Sequence, residues 1–199
     1  MQTEDVAPLK FTDEHYIALG RIVIAFQSLE LVITYGLACL MEPTETVGSF
    51  TYTVLDELSF ANRLKFLSNY VETHPLPHFI PPGVSYEEGK AKDFPEVLVK
   101  LQVGIQIAGE AEEKRNQLVH SYWLTDPVAG PTGTVLRCKS RVKHKKVHRS
   151  SEYVTATTIS AIVEGIEKTK LMIFEATERL HFYPNTRSAK IPEPHEPLQ

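Results

Sequence analysis

The sequence predicts an all-α, mainly helical fold: a four-to-five-helix up-down bundle with a small β-hairpin between the third and fourth long helices. In four segments, apolar side chains recur at steps of three and four, which is the spacing of one helical face. Only one segment, residues 135–142, alternates strictly, as a strand does. The 199 residues are 42% hydrophobic and 23% charged, a composition typical of a folded domain with a core. We predict one helical domain over residues 1–183 and a disordered Pro-rich tail over 184–199.

The first helix is predicted over residues 13–41, with Thr12 or Asp13 as its N-cap. Its main apolar face carries Ile22, Ala25, Phe26, Leu29, Val32, Ile33, Leu37 and Leu40. Ile24 and Leu31 lie off that face, as does Ala38. We therefore expect this helix to be covered on two sides, by its own core and by a partner subunit.

Two further helices flank a long loop. The second helix is predicted over residues 59–73, capped by Asp56 or Ser59 and preceded by a short helical turn at 52–57. Prolines and a glycine then exclude regular structure over residues 74–89.

The third long helix should begin near Asp93 and continue to about His120. Pro95 fits its first turn, where a backbone N–H has no helical partner. The last helix is predicted over about 156–181, from the apolar repeat that starts at Ile159.

The hairpin is predicted at about residues 134–154. Its first strand alternates Leu136, Cys138, Ser140 and Val142 on one face with Arg137, Lys139, Arg141 and Lys143 on the other. Residues 137–149 contain seven lysines and arginines and no acid, although the whole chain carries a net charge of -4. The basic face is therefore interpreted as a contact for nucleic-acid phosphates, with protection of an edge strand as the alternative.

Cysteines and hydropathy indicate the compartment. Cys39 and Cys138 lie far apart in dissimilar surroundings, and the N-terminus lacks the pattern of a signal peptide. Gln27 and Glu30 interrupt the apolar run of the first helix, which argues against a membrane span. We predict a cytoplasmic protein with reduced thiols.

The stretch KRNQLVHSYW at the end of the third long helix collects side chains suited to RNA cleavage. Arg115 offers a planar donor fork for phosphate oxygens, and Asn116 adds neutral donors. His120 supplies an imidazole, the side chain best suited to proton transfer at the 2′-OH or at the leaving oxygen. On a regular helix Arg115 and His120 do not share a face, so a site that uses both is easiest to build at a helix end or in a cleft shared by two chains.

This Arg-x4-His pattern, RNQLVH with Asn directly after Arg, resembles the active-site motif of the HEPN (higher eukaryotes and prokaryotes nucleotide-binding) superfamily. The resemblance implies a metal-independent endoribonuclease that acts as a homodimer on single-stranded RNA, with no cofactor and no metal. It implies Arg115 and His120 as the catalytic pair, with Asn116 as the polar companion. A toxin or phage-defence effector is the expected role.

The extended motif is similar to that of HEPN toxins paired with nucleotidyltransferase antitoxins. Tyr122 then matches a tyrosine that some antitoxins modify, and an antitoxin or other partner protein becomes a candidate partner. Glu30 is a candidate carboxylate for orienting Arg115 or His120. The alternative function is a noncatalytic HEPN-like helical dimer that binds a nucleotide, RNA or a protein.

Overall fold

The protein is mainly α-helical, as predicted, with one small antiparallel sheet. The structure is a computed structural model that describes residues 10–41, 49–73, 94–124, 131, 133–143 and 146–182. Its helices are α1 (Asp13–Met41), α2 (Ser49–Asp56), α3 (Phe60–Thr73), α4 (Phe94–Val119) and α5 (Ala156–Phe182). Its strands are β1 (Tyr122–Leu124), β2 (Thr134–Lys143) and β3 (Lys146–Thr155). The Pro-rich loop predicted over 74–89 and the tail predicted over 184–199 lie outside the described residues.

Side chains of Thr and Ser define where three helices begin. Thr12 precedes α1, and its hydroxyl lies 2.8 Å from Nδ1 of His15, while its carbonyl accepts the His15 N–H. Ser59 accepts the N–H of Asn62 at the start of α3, and Thr155 accepts that of Thr158 at the start of α5. The Ser59 and Thr155 hydroxyls each satisfy a backbone donor that has no partner in the first turn, whereas the Thr12 hydroxyl binds the ring of His15.

The sheet has the strand order β1-β2-β3, and both of its pairings are antiparallel. Gly133 directly precedes β2 with φ of 76°, a conformation that glycine adopts without steric cost. β1 is an element that the sequence did not reveal, because three residues are too few to show an alternation.

The chain divides into two compact units, and α1, α4 and α5 each contribute residues to both. Unit 1 comprises residues 1–31 and 106–170, and unit 2 comprises residues 32–105 and 171–199. The core of unit 1 includes Ile22, Phe26, Leu29, Val135, Ile159 and Ile166. The core of unit 2 includes Ile33, Leu55, Leu67, Leu101 and Ile173. The single domain over 1–183 and the up-down order of the helices stay predictions.

Within unit 2, helices approach closely at two glycines. A Cβ on Gly36 would lie 2.7 Å from Cγ2 of Thr177, and one on Gly104 would lie 2.8 Å from a side-chain carbon of Ile173. Both distances are shorter than any normal carbon–carbon contact, so these positions require the absence of a side chain.

The apolar side chains of α1 do not all face the interior. Ile24 and Leu31 are 65% and 67% exposed, whereas Ala38, the third residue off the main face, is fully buried. In the part of the chain that the structure describes, α1 alone is long and apolar enough by composition to cross a membrane. Because 56% of its most apolar window is buried, α1 also has the properties of a core helix.

Candidate functional site

The end of α4 positions the predicted motif, and side chains from the following residues close the helix. The hydroxyl of Ser121 donates a hydrogen bond to the Gln117 carbonyl, and Nε1 of Trp123 donates to the Leu118 carbonyl over 3.2 Å. These bonds satisfy carbonyls that a helix end leaves without partners. The chain can therefore leave α4 at Val119 and enter β1 directly.

Two cations from β2 bind the same helix end. Arg137 donates from Nη1 to the Gln117 carbonyl over 2.9 Å, and Nζ of Lys139 lies 3.4 Å from the Asn116 carbonyl. Carbonyls at the C-terminus of a helix form the negative end of its dipole, so cations are favourable there. The basic face of β2 therefore faces α4, at least at Arg137 and Lys139.

Arg137, which was predicted from the sequence to bind RNA, is buried and bonded to other residues of the protein. Its side chain is only 8% exposed and forms an ion pair with Glu152, with 2.8 Å between Nη2 and the carboxylate. Its Nε is buried and has no hydrogen-bond partner among the residues that the structure describes. Arg141 and Lys143 belong to β2 and pair with His148 and Lys146, but their side chains lie outside the described residues.

Arg115 is half-buried against α1. Its guanidinium carbon lies 4.8 Å from the centre of the Phe26 ring, a cation–π distance. Nη1 donates to Oδ1 of Asn116 over 2.8 Å, while the buried Nε has no hydrogen-bond partner in the described part of the chain. Phe26 and Asn116 thus fix the guanidinium without using all of its donors.

The Glu112 carboxylate lies close enough to this guanidinium for their charges to interact. Burial raises the pKa of Glu112, the positive charge of Arg115 lowers it, and the negative charge of Glu30 raises it further. Glu30, the predicted orienting carboxylate, is thus near enough to Glu112 for their charges to interact. Sequence analysis missed Glu112, although its position three residues before Arg115 was a signal, because such residues are neighbours on a helix surface.

His120 and Tyr122 lie beyond the helix and are exposed. His120 follows α4 directly, and its backbone N–H donates to the Asn116 carbonyl over 3.3 Å. No hydrogen bond joins its ring to Arg115 among the contacts of the described side chains. Tyr122 is 72% exposed and pairs with Cys138 in the register of β1 and β2, on the sheet face opposite Arg137.

A cleft of about 240 Å³ lies beside the end of α4. Its lining residues are Gln117, Arg137, Lys139, His148, Arg149 and Ser150. The β2–β3 register creates it, because Ser150 pairs with Lys139 and His148 pairs with Arg141. Three of these residues are basic, but Arg149 pairs with Ser140, so its side chain starts from the sheet face opposite Arg137 and Lys139.

No family model, curated protein or solved structure matches this chain. Function is therefore inferred from the motif and from the geometry around it. Among the residues that the structure describes, no three His, Cys, Asp or Glu side chains are grouped as metal ligands would be.

Sequence analysis placed the basic strand but not its partners across the hairpin. A second strand was predicted around residues 146–154 and Arg149 was counted in the basic segment, but no contact of His148, Arg149 or Ser150 with the first strand was predicted. Their proximity to Lys139 depends on the register, which the length of the connecting turn determines. Counting outward from the pair of Lys143 and Lys146 gives the other pairs of the two strands.

Proposed function

We propose that this protein is a metal-independent endoribonuclease of the HEPN type that cleaves single-stranded RNA as a homodimer. The observation that carries the proposal is the state of Arg115, whose guanidinium is held by Phe26 and Asn116 while its buried Nε has no partner. Buried polar atoms in proteins are nearly always satisfied, and exceptions are concentrated at functional sites. A phosphate oxygen is a suitable acceptor for the remaining donors.

Each side chain of the motif has a role in this reaction. Arg115 stabilises the charge that develops on the phosphorane, and Asn116 orients Arg115 through their hydrogen bond. His120, exposed at the helix end, transfers the proton. Glu30 and Glu112 keep the guanidinium in place by charge, while the basic strand with Lys139, Arg141 and Lys143 attracts the RNA backbone.

A homodimer would bring in the motif of a second chain, because no hydrogen bond joins His120 to Arg115 of the same chain among the described side chains. The exposed side of α1 carries Ile17, Ile24 and Leu31 at seven-residue steps, each at least 60% exposed. Apolar side chains at this period pack well against another helix. Glu30 is adjacent to Leu31 in the sequence, so a second chain on this face would come close to Glu30. Glu30 in turn interacts by charge with Glu112.

Cleavage assays on purified variants test the catalytic assignment. With a labelled single-stranded RNA in EDTA, Arg115→Ala and His120→Ala should each lower the cleavage rate by about 10²–10⁴-fold, the range of one general acid–base or electrostatic group. Lys114→Ala removes a neighbouring exposed cation of α4 and is the matched control, with an expected rate close to that of the unchanged protein. Full cleavage by His120→Ala would rule out the mechanism.

Sedimentation tests the dimer. Leu31→Asp should convert the protein to a monomer and lower the cleavage rate with it, because a buried carboxylate disfavours an apolar interface. Val99→Asp alters an apolar residue of α4 that is 59% exposed, and it should leave the oligomeric state unchanged. A Leu31→Asp protein that remains dimeric would place the interface elsewhere.

The second candidate is a noncatalytic HEPN-like helical dimer that binds RNA, a nucleotide or a protein. It is favoured by the absence of a hydrogen bond between the His120 ring and Arg115 among the described side chains, and by the packed contact of Arg115 with Phe26. RNA binding without cleavage in the unchanged protein would select this function. The role as a cytoplasmic toxin or phage-defence effector, with an antitoxin that modifies Tyr122, belongs to the catalytic proposal.

A further inference from the structure

The two faces of the sheet differ in their surroundings. Residues that pair across an antiparallel sheet lie on the same face, and neighbours along a strand lie on opposite faces. The register therefore places Trp123, Arg137 and Glu152 on one face, which we name the inner face because Arg137 binds the end of α4. The other face, which we name the outer face, carries the even-numbered residues of β1 and β2 and the odd-numbered residues of β3.

Large side chains of the outer face are exposed. Tyr122 of β1 is 72% exposed and Tyr153 of β3 is 47% exposed, while Leu124 and Val147 are 40% and 61% exposed. Aromatic and apolar side chains that are grouped on one surface indicate a contact site, whereas single exposed ones are ordinary. The outer face is therefore a candidate binding surface.

The two tyrosines lie in neighbouring rows of the outer face. Tyr122 is at the β1 end of one row, and Tyr153 is at the β3 end of the next. Two strand spacings and one two-residue step separate their Cα atoms, a distance of roughly 12 Å. Leu136 of β2 lies between the strands that carry them. The two rings can therefore contact different bases of one nucleic-acid strand.

Charge favours a nucleic acid on this surface. Among the residues that the structure assigns to the three strands, none on the outer face is Asp or Glu, whereas Arg149 starts from this face and is exposed. Arg149 also borders the cleft beside α4, at the β3 edge of the sheet. The hydroxyl residues Ser140 and Ser151 are its neighbours on the outer face. Aromatic rings combined with positive charge are typical of surfaces that bind single-stranded nucleic acids.

The outer face adjoins the candidate catalytic motif. His120 precedes Tyr122 by two residues, so their Cα atoms are at most about 7 Å apart. Both side chains are exposed. An RNA strand that stacks on Tyr122 therefore passes close to His120.

We propose that the outer face binds single-stranded RNA, with one base stacked on Tyr122, a second base stacked on Tyr153 and a phosphate at Arg149. Stacking tolerates any sequence, because every base has an aromatic face. It requires unpaired bases, so a duplex is a poor ligand for this surface. The choice of RNA as the ligand rests on the proposed function, and the outer face holds the strand whose scissile phosphate lies at Arg115 and His120.

Binding of a short fluorescein-labelled single-stranded RNA to the full chain tests this surface. All of its 2′-hydroxyls are methylated, so the strand has no nucleophile for cleavage. Tyr122→Ala should weaken binding by about 5- to 100-fold, the loss expected for one stacked base. Tyr122→Phe keeps the ring and should bind like the unchanged protein. Alanine and phenylalanine at position 153 should give the same order.

A second strand with the same methylated backbone and no bases isolates the stacking. It should bind more weakly, and Tyr122→Ala should cause no further loss, because no base remains to contact the ring. Arg149→Gln should weaken both strands and lower the slope of log K against log salt by about 0.7, the value for one phosphate on a single strand. Equal losses of both strands in Tyr122→Ala would show that the ring does not stack on a base, and they would overturn the proposal.

Tyr16→Ala is the matched control, because it removes a tyrosine that is 63% exposed on α1 of the same unit. It should leave RNA binding unchanged, and a loss equal to that of Tyr122→Ala would overturn the site. Unchanged RNA affinity in Tyr122→Ala would overturn it as well. A simultaneous change in the sedimentation of Tyr122→Ala would then identify the outer face as a contact with another protein chain.

The outer face and the catalytic assignment can fail separately. If methylated RNA binds with the predicted loss at Tyr122 while unmethylated RNA is not cleaved, the binding surface stands and the catalytic assignment fails. If cleavage depends on Arg115 while Tyr122→Ala binds methylated RNA normally, the catalytic assignment stands and the binding surface is wrong.

Discussion

The two units of the chain differ in how completely their polar groups are satisfied. In unit 2, Tyr35 donates to Glu178 over 2.9 Å, and hydrogen bonds to Cys39 and Glu178 raise the pKa of the Tyr35 hydroxyl. Arg63 likewise donates to Thr34 over 2.8 Å. All three buried side-chain nitrogens that have no partner in the described structure lie in unit 1, at His15, Arg115 and Arg137.

This difference supports the proposal that unit 1 contains a binding site, whereas the polar contacts of unit 2 serve stability. Unsatisfied buried donors cost stability, so their persistence in one region is an argument for function there. The proposed catalytic residues and the cleft both belong to unit 1. The packing around glycines also differs between the units. A Cβ added at Gly36 or Gly104 of unit 2 would meet a side chain, whereas one added at Gly20 or Gly165 of unit 1 would have nothing within 4 Å.

The largest expected effect on stability is the loss of a core side chain from unit 2. Leu67 of α3 is fully buried, so Leu67→Ala should lower the free energy of unfolding by about 2–5 kcal/mol, measured by urea denaturation. Its neighbour Phe66 is 53% exposed, and Phe66→Ala is the control, with a much smaller loss. Equal losses for the two substitutions would show that α3 is not packed as described.

The next effect tests whether Arg137 belongs to the fold. Arg137→Met removes the bond to the Gln117 carbonyl and leaves Glu152 without its partner, so it should cost about 1–3 kcal/mol of unfolding free energy. Arg149→Met changes an exposed arginine of the same sheet and should stay within about 0.5 kcal/mol of the unchanged protein. If Arg137→Met proved as neutral as Arg149→Met, the structural role of Arg137 would be wrong.

Alanine substitutions at two glycines should change the stability by smaller amounts and in opposite directions. Gly36→Ala forces a methyl group onto Thr177 and should destabilise the protein by roughly 1–2 kcal/mol after the gain in helix propensity. Thr177→Ser in the same chain removes the nearest carbon and should restore part of the loss. Gly165→Ala meets no atom and should stabilise α5 by up to about 1 kcal/mol. Thermal unfolding of the four proteins checks the signs.

Helices were predictable because their signals are local. Apolar spacing and caps gave α1 and α3 nearly to the residue, with Thr12 and Ser59 identified among the alternatives considered. The exposed second side of α1 was visible as apolar residues off the main face, since Ile24 and Leu31 break the single-face pattern. Ala38 is also off the main face, but it is buried rather than exposed. Its position could not be predicted, because a small side chain fits into a packed interior as well as onto a surface.

The candidate site was predictable only where one segment carries it. Arg115, Asn116 and His120 are neighbours in sequence, so the motif could be read directly. The assignment of Arg137 depends on tertiary contact, because alternation shows which strand residues share a face and not which face is covered. Val135 and Arg137 lie on the covered face of the sheet. No local sequence pattern distinguishes an arginine that binds helix carbonyls, as Arg137 does, from an arginine that binds phosphate.

The smallest expected effect is a pH dependence of stability that arises from Glu112, whose charge interacts with Arg115. The pKa of Glu112 is raised above its ordinary value of 4.5, chiefly by burial, so the folded protein holds this proton more tightly than the unfolded chain does. Ionised Glu112 therefore lowers stability as the pH rises above that value, and the cost is absent at lower pH. Glu112→Gln should raise the midpoint of thermal unfolding at pH 7 by an amount equivalent to roughly a few tenths of a kcal/mol, because solvent screens this partly exposed group. The gain should disappear near pH 4.

Glu175 of unit 2 provides the control of opposite sign. Its hydrogen bond from Lys100 lowers its pKa, so the ionised form contributes stability above the ordinary pKa that is lost as the pH falls through the folded value. Glu175→Gln should therefore lower the midpoint slightly at pH 7 and have less effect in acid. If both substitutions shifted the midpoint in the same direction at pH 7, Glu112 would behave as an ordinary surface carboxylate. The difference between the two units would then not include the carboxylates Glu112 and Glu175.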